Sequence, residues 1–283
     1  MTWLLLDAGN TALKWALSEP GEFRTAAQGI LALEAGFGDL LVETLREPLT
    51  APPAAPTFDL RAIGCSVASD ATDAQIVAAL RRLVPAGVRW LASQAQFDYQ
   101  DVVLTNGYRD PAQLGADRWH AMIAARHRFP EQPLVVVCAG TATTVDSVDP
   151  AGRFLGGAIA PGTSLMADGL ARGTARLPRS AGRPVQMPDN TDDAIATGVA
   201  DALAGLVERR VRAMARAGAP PQLVMAGGRV RELAARLWLD QEVAGITIEE
   251  HLVLRGLWIR ASAEQAAQEP LLRAARSGGR HAQ

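Results

Sequence analysis

The densest chemistry in the sequence lies in eight consecutive residues, Asp7-Ala8-Gly9-Asn10-Thr11-Ala12-Leu13-Lys14. A carboxylate at the end of an apolar strand can hold Mg²⁺, directly or through water. Gly9 lets the backbone approach a phosphate, Asn10 and Thr11 offer N–H and side-chain donors, and Lys14 on the next strand adds a positive charge. Phosphoryl transfer asks for this kind of set, because it needs positioning and charge neutralisation rather than covalent chemistry. An ordinary hairpin turn, for which Gly9-Asn10 suffices, is the competing explanation. Lys14 is also the only lysine, which leaves 27 arginines among the 28 basic residues (28 − 1). An ammonium kept in so arginine-rich a chain marks a place that a planar guanidinium does not fit; the plain alternative is chance.

A second group follows at Gly140-Thr141-Ala142-Thr143-Thr144, whose hydroxyls and amides suit the outer phosphates of a nucleotide. Thr also favours strands, so a Thr-rich strand explains it equally. Tyr108 and Gly115-Ala116-Asp117-Arg118 form the candidate acceptor site. At a helix start, Asp117 could accept a proton from a substrate hydroxyl while Arg118 binds an anionic group. The alternative makes Asp117 a first-turn residue favoured by the helix dipole, with Arg118 solvated. His120 and His127 flank this helix and read as surface or core-edge residues. Gly162 stands at a strand–turn–helix junction, where either close ligand approach or helix capping explains it. Ala226-Gly227-Gly228 ends a strand where an adenosine would sit.

These residues need elements to hold them, and the sequence repeats one. Trp3-Leu-Leu-Leu-Asp7-Ala-Gly9 is echoed, 131 residues on (138 − 7), by Leu134-Val-Val-Val-Cys138-Ala-Gly140. In each, a buried-type strand enters a small-residue turn, and an alternating strand follows, at 12–18 and 143–148. Two such hairpins imply two domains of similar fold facing a shared cleft. Residues 62–67 and 222–226 read as strands; 73–83, 115–128 and 194–217 read as helices. Ala51-Pro-Pro-Ala-Ala-Pro56 reads as a loop, and the stretch from about Gln265 as a frayed tail.

Composition narrows the classes. With 283 residues, net charge −2 and 48% hydrophobic content, the chain is neither disordered nor a nucleic-acid binder relying on a basic surface. Two cysteines without a CxxC or Cys/His cluster argue against a disulfide scaffold or a structural zinc site, and suit the reducing cytoplasm. The N-terminal apolar run is broken at Asp7, so it is not a signal peptide, and no stretch approaches the roughly 18 apolar residues that span a bilayer.

In order, Asp7-x-Gly-Asn-Thr-x-x-Lys14, Gly115-Ala-Asp117-Arg118, Gly140-Thr-Ala-Thr-Thr144, Gly156-Gly-x-Ile-x-Pro-Gly162 and Thr174-Ala-x-Leu-Pro178 resemble the type III pantothenate kinases. Some members of that family are called Bvg accessory factor. The likeness runs from residue 3 to about 258. It implies an α/β fold of two ribonuclease-H-like domains of the acetate and sugar kinase/Hsp70/actin superfamily around a nucleotide cleft. The expected division is 1–118 and 119–264, with 265–283 as the tail. The resemblance also implies a homodimer and the phosphorylation of pantothenate by Mg²⁺–ATP, the first step of coenzyme A synthesis. By position, Asp7 to Lys14 and Thr141 would contact ATP. Tyr108, Gly115, Ala116, Asp117, Arg118 and Thr191 would contact pantothenate, with Asp117 as the base. Many members open the second loop with an aspartate that ligates K⁺ or a similar monovalent cation such as NH₄⁺. Here that position is Cys138, a poor ligand for a hard ion. A regulatory or binding member of the family with weak or no kinase activity is the second reading, and a sugar or acetate kinase the third.

Overall fold

The computed structural model describes residues 2–19, 21, 23, 25–50, 60–178 and 181–278. The elements are β1 (Thr2–Ala8), β2 (Ala12–Ser18), β3 (Thr25–Ala32), α1 (Phe37–Thr50), β4 (Leu60–Ser66), α2 (Asp70–Leu80), β5 (Val88–Trp90), β6 (Gln96–Tyr99), β7 (Val102–Thr105), α3 (Ala116–Arg128), β8 (Leu134–Ala139), β9 (Ala142–Val148), β10 (Phe154–Pro161), α4 (Thr163–Gly173), α5 (Thr191–Ala217), β11 (Gln222–Ala226), α6 (Val230–Ala234), β12 (Gly245–Ile248) and α7 (Leu252–Gly278).

They divide into two compact units, one of Met1–Ser93, Gly115–Ala124 and Val253–Gln283, the other of Gln94–Leu114 and Ala125–Leu252. In the first, the five-stranded sheet runs β3-β2-β1-β4-β5. β1 is antiparallel to β2 and parallel to β4. β1 is buried along its whole length, Asp7 included, as the apolar run of residues 3–6 requires of a central strand. One of its faces, Leu4, Leu6 and Ala8, packs with Leu13 and Trp15 of β2 against Leu41 and Leu45 of α1 and Ile76 and Leu80 of α2.

The second unit repeats the plan as β10-β9-β8-β11-β12. β8 is antiparallel to β9 and parallel to β11. Val135, Val137 and Val145 pack here against Leu203, Val207 and Val211 of α5 and Leu233 of α6. Each sheet therefore has the ribonuclease-H-like order that the resemblance implies.

The chain order of the units is less simple than one cut after residue 118. α7 joins the first unit, because Gly256 lies so close to α3 that a Cβ there would stand 1.9 Å from the His120 carbonyl oxygen. The helix also runs on to Gly278, through most of the stretch expected to fray. Residues 279–283 and the expected loop at 51–56 lie outside the described residues.

Candidate active site

Asp7 is the penultimate residue of β1 and Lys14 its register partner on β2. The carboxylate is only 6% exposed, yet Lys14 Nζ stands 3.5 Å from its Oδ2, and Cys65 Sγ donates to Oδ1 at 3.9 Å. Burial raises the Asp7 pKa, the nearby Lys14 ammonium offsets part of that, and the charge of Asp117 raises it again. Burial and Asp7 together push the Cys65 thiol well up, so it remains an S–H donor. The turn at residues 9–11 projects outward: Asn10 and Thr11 are exposed, while Gly9 N–H donates to the Ala12 carbonyl at 3.0 Å. Ala8 and Leu13 belong to the core, so their side chains do not meet a ligand.

Asp117 enters from α3. Its Oδ1 accepts from the Arg118 amide at 2.8 Å, and a Cβ on Gly115 would stand 2.7 Å from that oxygen, so a side chain there would push the carboxylate aside. Ala116 is buried beside it. Arg118 is 3% exposed, which removes the reading of a solvated arginine. His120 also departs from expectation. It is fully buried, Nδ1–H donates to the Ala116 carbonyl at 2.7 Å, and burial pushes its pKa down to about 4, so the imidazole is neutral. His127 is exposed, as expected. Asp7, Lys14 and Cys65 are thus in contact within the first unit, and the charge of Asp117 reaches them from α3.

Tyr108, Thr141 and Thr191 belong to the second unit. Tyr108 is half-buried, its ring centroid 5.2 Å from that of Phe154, and its N–H donates to Asn106 Oδ1 at 3.0 Å. Its neighbour Gly107 admits no side chain, since a Cβ would stand 1.9 Å from the Phe154 carbonyl oxygen. Thr141 is exposed at the tip of the β8–β9 turn, where Gly140 N–H donates to the Ala142 carbonyl at 3.0 Å.

Two glycines converge on this second turn. Gly162 N–H donates to the Thr141 carbonyl at 2.9 Å, and a Cβ there would stand 2.2 Å from the Gly140 oxygen. Close approach to the turn therefore decides that residue. Gly227, at φ 109°, similarly packs on the Ala139 carbonyl. Beside them opens a cavity of about 330 Å³, whose lining includes Gly140, Thr143, Asp168, Arg229 and Glu232. Arg229 and Glu232 were not singled out in the sequence, although their position just after Gly227-Gly228 was a signal for them. Thr191 begins α5 after its cap Asn190, exposed at the edge of an apolar groove that includes Met166, Leu170 and Leu177.

The family model for type III pantothenate kinase matches residues 3–213. The chain belongs to the type III pantothenate kinase family. Type III pantothenate kinases of Polaromonas sp. strain JS666 and Laribacter hongkongensis are 39% and 41% identical to it, covering 89% and 90% of this chain and 96% of each relative. A Campylobacter jejuni protein described as a putative Baf family transcriptional activator superposes with TM-score 0.55 at 20% identity, over 94% of this chain and 99% of that one. An activator of 2-hydroxyisocaproyl-CoA dehydratase from Clostridium difficile gives 0.51 at 15% identity, over 95% and 98%. At such identities the two structures speak for the fold alone. Among the described residues no helix is long and apolar enough to cross a membrane.

The donor sets can be weighed against the groups that the pantothenate kinase family uses. Among the described residues no three His, Cys, Asp or Glu side chains cluster into a protein-only metal site. Mg²⁺, a hard cation, is bound through one or two carboxylates, water and substrate phosphates, and Asp7 with Asp117 nearby offers that kind of oxygen. The monovalent cation fares differently. Cys138 faces Thr144 across the β8–β9 ladder, so a thiol and a hydroxyl stand where the resemblance implies a carboxylate. The residues present do not fit that ion.

Proposed function

We propose that this pantothenate kinase transfers the γ-phosphoryl of ATP to the terminal hydroxyl of pantothenate. The observation that carries the reading is the Asp7–Lys14 pair, with a second carboxylate, Asp117, close enough for its charge to act on Asp7. Asp7 would hold the Mg²⁺ of ATP through water; when bound, the ion neutralises charge on the phosphates. Lys14 and the N–H groups of residues 10 and 11 bind phosphate oxygens, and Thr141 does so in the second turn. Asp117 accepts the proton of the attacking hydroxyl. Arg118 and Tyr108 orient pantothenate, the guanidinium toward its carboxylate. A protein that only bound these molecules would have no use for a base beside Asp7.

Assembly and compartment belong to the same reading. The apolar groove edged by Thr191 suits a second copy of the chain, which makes a homodimer the proposed form. Cys65 and Cys138 are not joined in a disulfide, which suits the cytoplasm. Incubating the protein with ATP and pantothenate and weighing the products by mass spectrometry tests the activity. Equimolar ADP and 4′-phosphopantothenate are expected. Binding of both substrates without product would favour a regulatory member instead, and thermal stabilisation by simple sugars but not by pantothenate would favour a sugar kinase.

A further inference from the structure

We propose that Cys65 is a positioning residue that fixes the carboxylate of Asp7; the inference rests on the reading of Asp7 as the group that handles the Mg²⁺ of ATP. β1 and β4 run in parallel with Asp7 level with Cys65. The thiol is fully buried and donates to Oδ1, whereas Lys14, from the strand on the other side of β1, takes Oδ2. The carboxylate is therefore gripped from both neighbouring strands, one oxygen by each.

The strand that carries the thiol is held firmly in register with β1. A Cβ on the preceding Gly64 would stand 2.8 Å from the Leu6 carbonyl oxygen and 2.7 Å from the Trp90 ring, so β4 lies against β1 as tightly as a bare backbone allows. Just beyond Cys65, Val67 N–H donates to the Ala8 carbonyl at 2.9 Å, and Ser66 Oγ donates to Asp73 of α2 at 2.6 Å. The residues flanking Cys65 are pinned, which fixes the backbone that carries the thiol beside Asp7. A weak, uncharged donor suits that place. It orients the carboxylate and leaves its negative charge for the metal, where a second ammonium would cancel it.

Two measurements on the full chain test this. The infrared S–H stretch of Cys65, isolated as the difference between wild type and Cys65→Ala, should move to higher frequency in Asp7→Asn, because a neutral amide accepts more weakly than a carboxylate. Calorimetric binding of the Mg²⁺ complex of a non-hydrolysable ATP analogue should weaken about three- to tenfold in Cys65→Ala, as loss of one hydrogen bond implies. Cys65→Ser should recover most of that loss, and Cys65→Ala should add nothing on top of Asp7→Asn. An S–H band indifferent to Asp7→Asn, or Cys65→Ala binding like wild type while Asp7→Asn binds poorly, overturns the positioning role and leaves the reading of Asp7 intact. If Asp7→Asn itself binds the nucleotide normally, the reading of Asp7 fails and the positioning role falls with it.

Discussion

The β1–β2 and β8–β9 hairpins occupy the same place in two sheets of the same order, and they have been given different chemistry. Asp7 and Cys138 are each the penultimate residue of their strand. Asp7 faces Lys14 across the hairpin and Cys65 on the parallel strand. Cys138 faces Thr144 and Ala226. The turns differ too: the first spans residues 9–12 from Ala8 to Leu13, while the second closes within residues 140–142, from Ala139 to Thr143. What is duplicated is the scaffold, which the apolar strands dictate. The ionic machinery is held by one copy, and the other offers a turn packed by glycines, whose donors are amides and hydroxyls.

That contrast can be broken by exchanging charges. Asp7→Asn should lower kcat/KM for ATP on the order of 10²–10³-fold, the scale of losing one preorganised electrostatic group. Cys138→Ser should stay within about twofold, since one neutral group replaces another there. Comparable losses from both variants, measured by ADP release, would erase the asymmetry.

Acid should also find the first unit. His120 is buried and neutral, with its pKa lowered from 6.5 to about 4. Below pH 6.5 the unfolded chain takes up a proton that the folded chain refuses until about pH 4. The neutral form's stability is therefore complete above 6.5 and is lost on acidification, by up to about 3 kcal/mol. Urea unfolding of wild type and His120→Phe across that range should show the variant losing stability less steeply. Parallel slopes would mean that the imidazole is not held neutral.

Two smaller effects sharpen the comparison. Lys14→Arg keeps the charge but replaces a compact ammonium by a planar fork, and should reduce kcat/KM for ATP about tenfold. An unchanged value would mean that the lone lysine reflects composition only. Exchanging Na⁺ for K⁺ or NH₄⁺ in the assay should change the rate less than about twofold, because Cys138 and Thr144 give such an ion no carboxylate. Strong activation by K⁺ would show that other oxygens replace the missing one.

Much of this arrangement was readable from the residues. The two hairpins and the helix carrying Asp117 announce themselves through apolar runs, glycines and 3.6-residue periodicity, which act locally. Their ends shifted by a few residues: the helix expected at 73–83 is Asp70–Leu80, because Ser69 caps it earlier, its hydroxyl accepting from the Thr72 amide. Long-range packing was not readable. Nothing near Gly256 in sequence says that α7 returns to lie against α3, and a tail was expected where the helix continues. His120 looked like an edge residue because a histidine carries no mark of burial; the approach of α7 decides it. Cys65 escaped notice for a similar reason, since only the parallel register of β1 and β4 brings it level with Asp7. β3, α1, β12 and the β6–β7 hairpin carried too weak a pattern to be assigned.

The account turns on Asp117 as the base of a phosphoryl transfer, and one comparison tests it most directly: single-turnover transfer of the γ-phosphoryl of ATP to pantothenate by wild type and Asp117→Asn, with nucleotide binding measured on the same samples. The variant should bind the nucleotide about as well as wild type and transfer about 10²–10⁴-fold more slowly. Transfer at close to the wild-type rate would contradict the assignment.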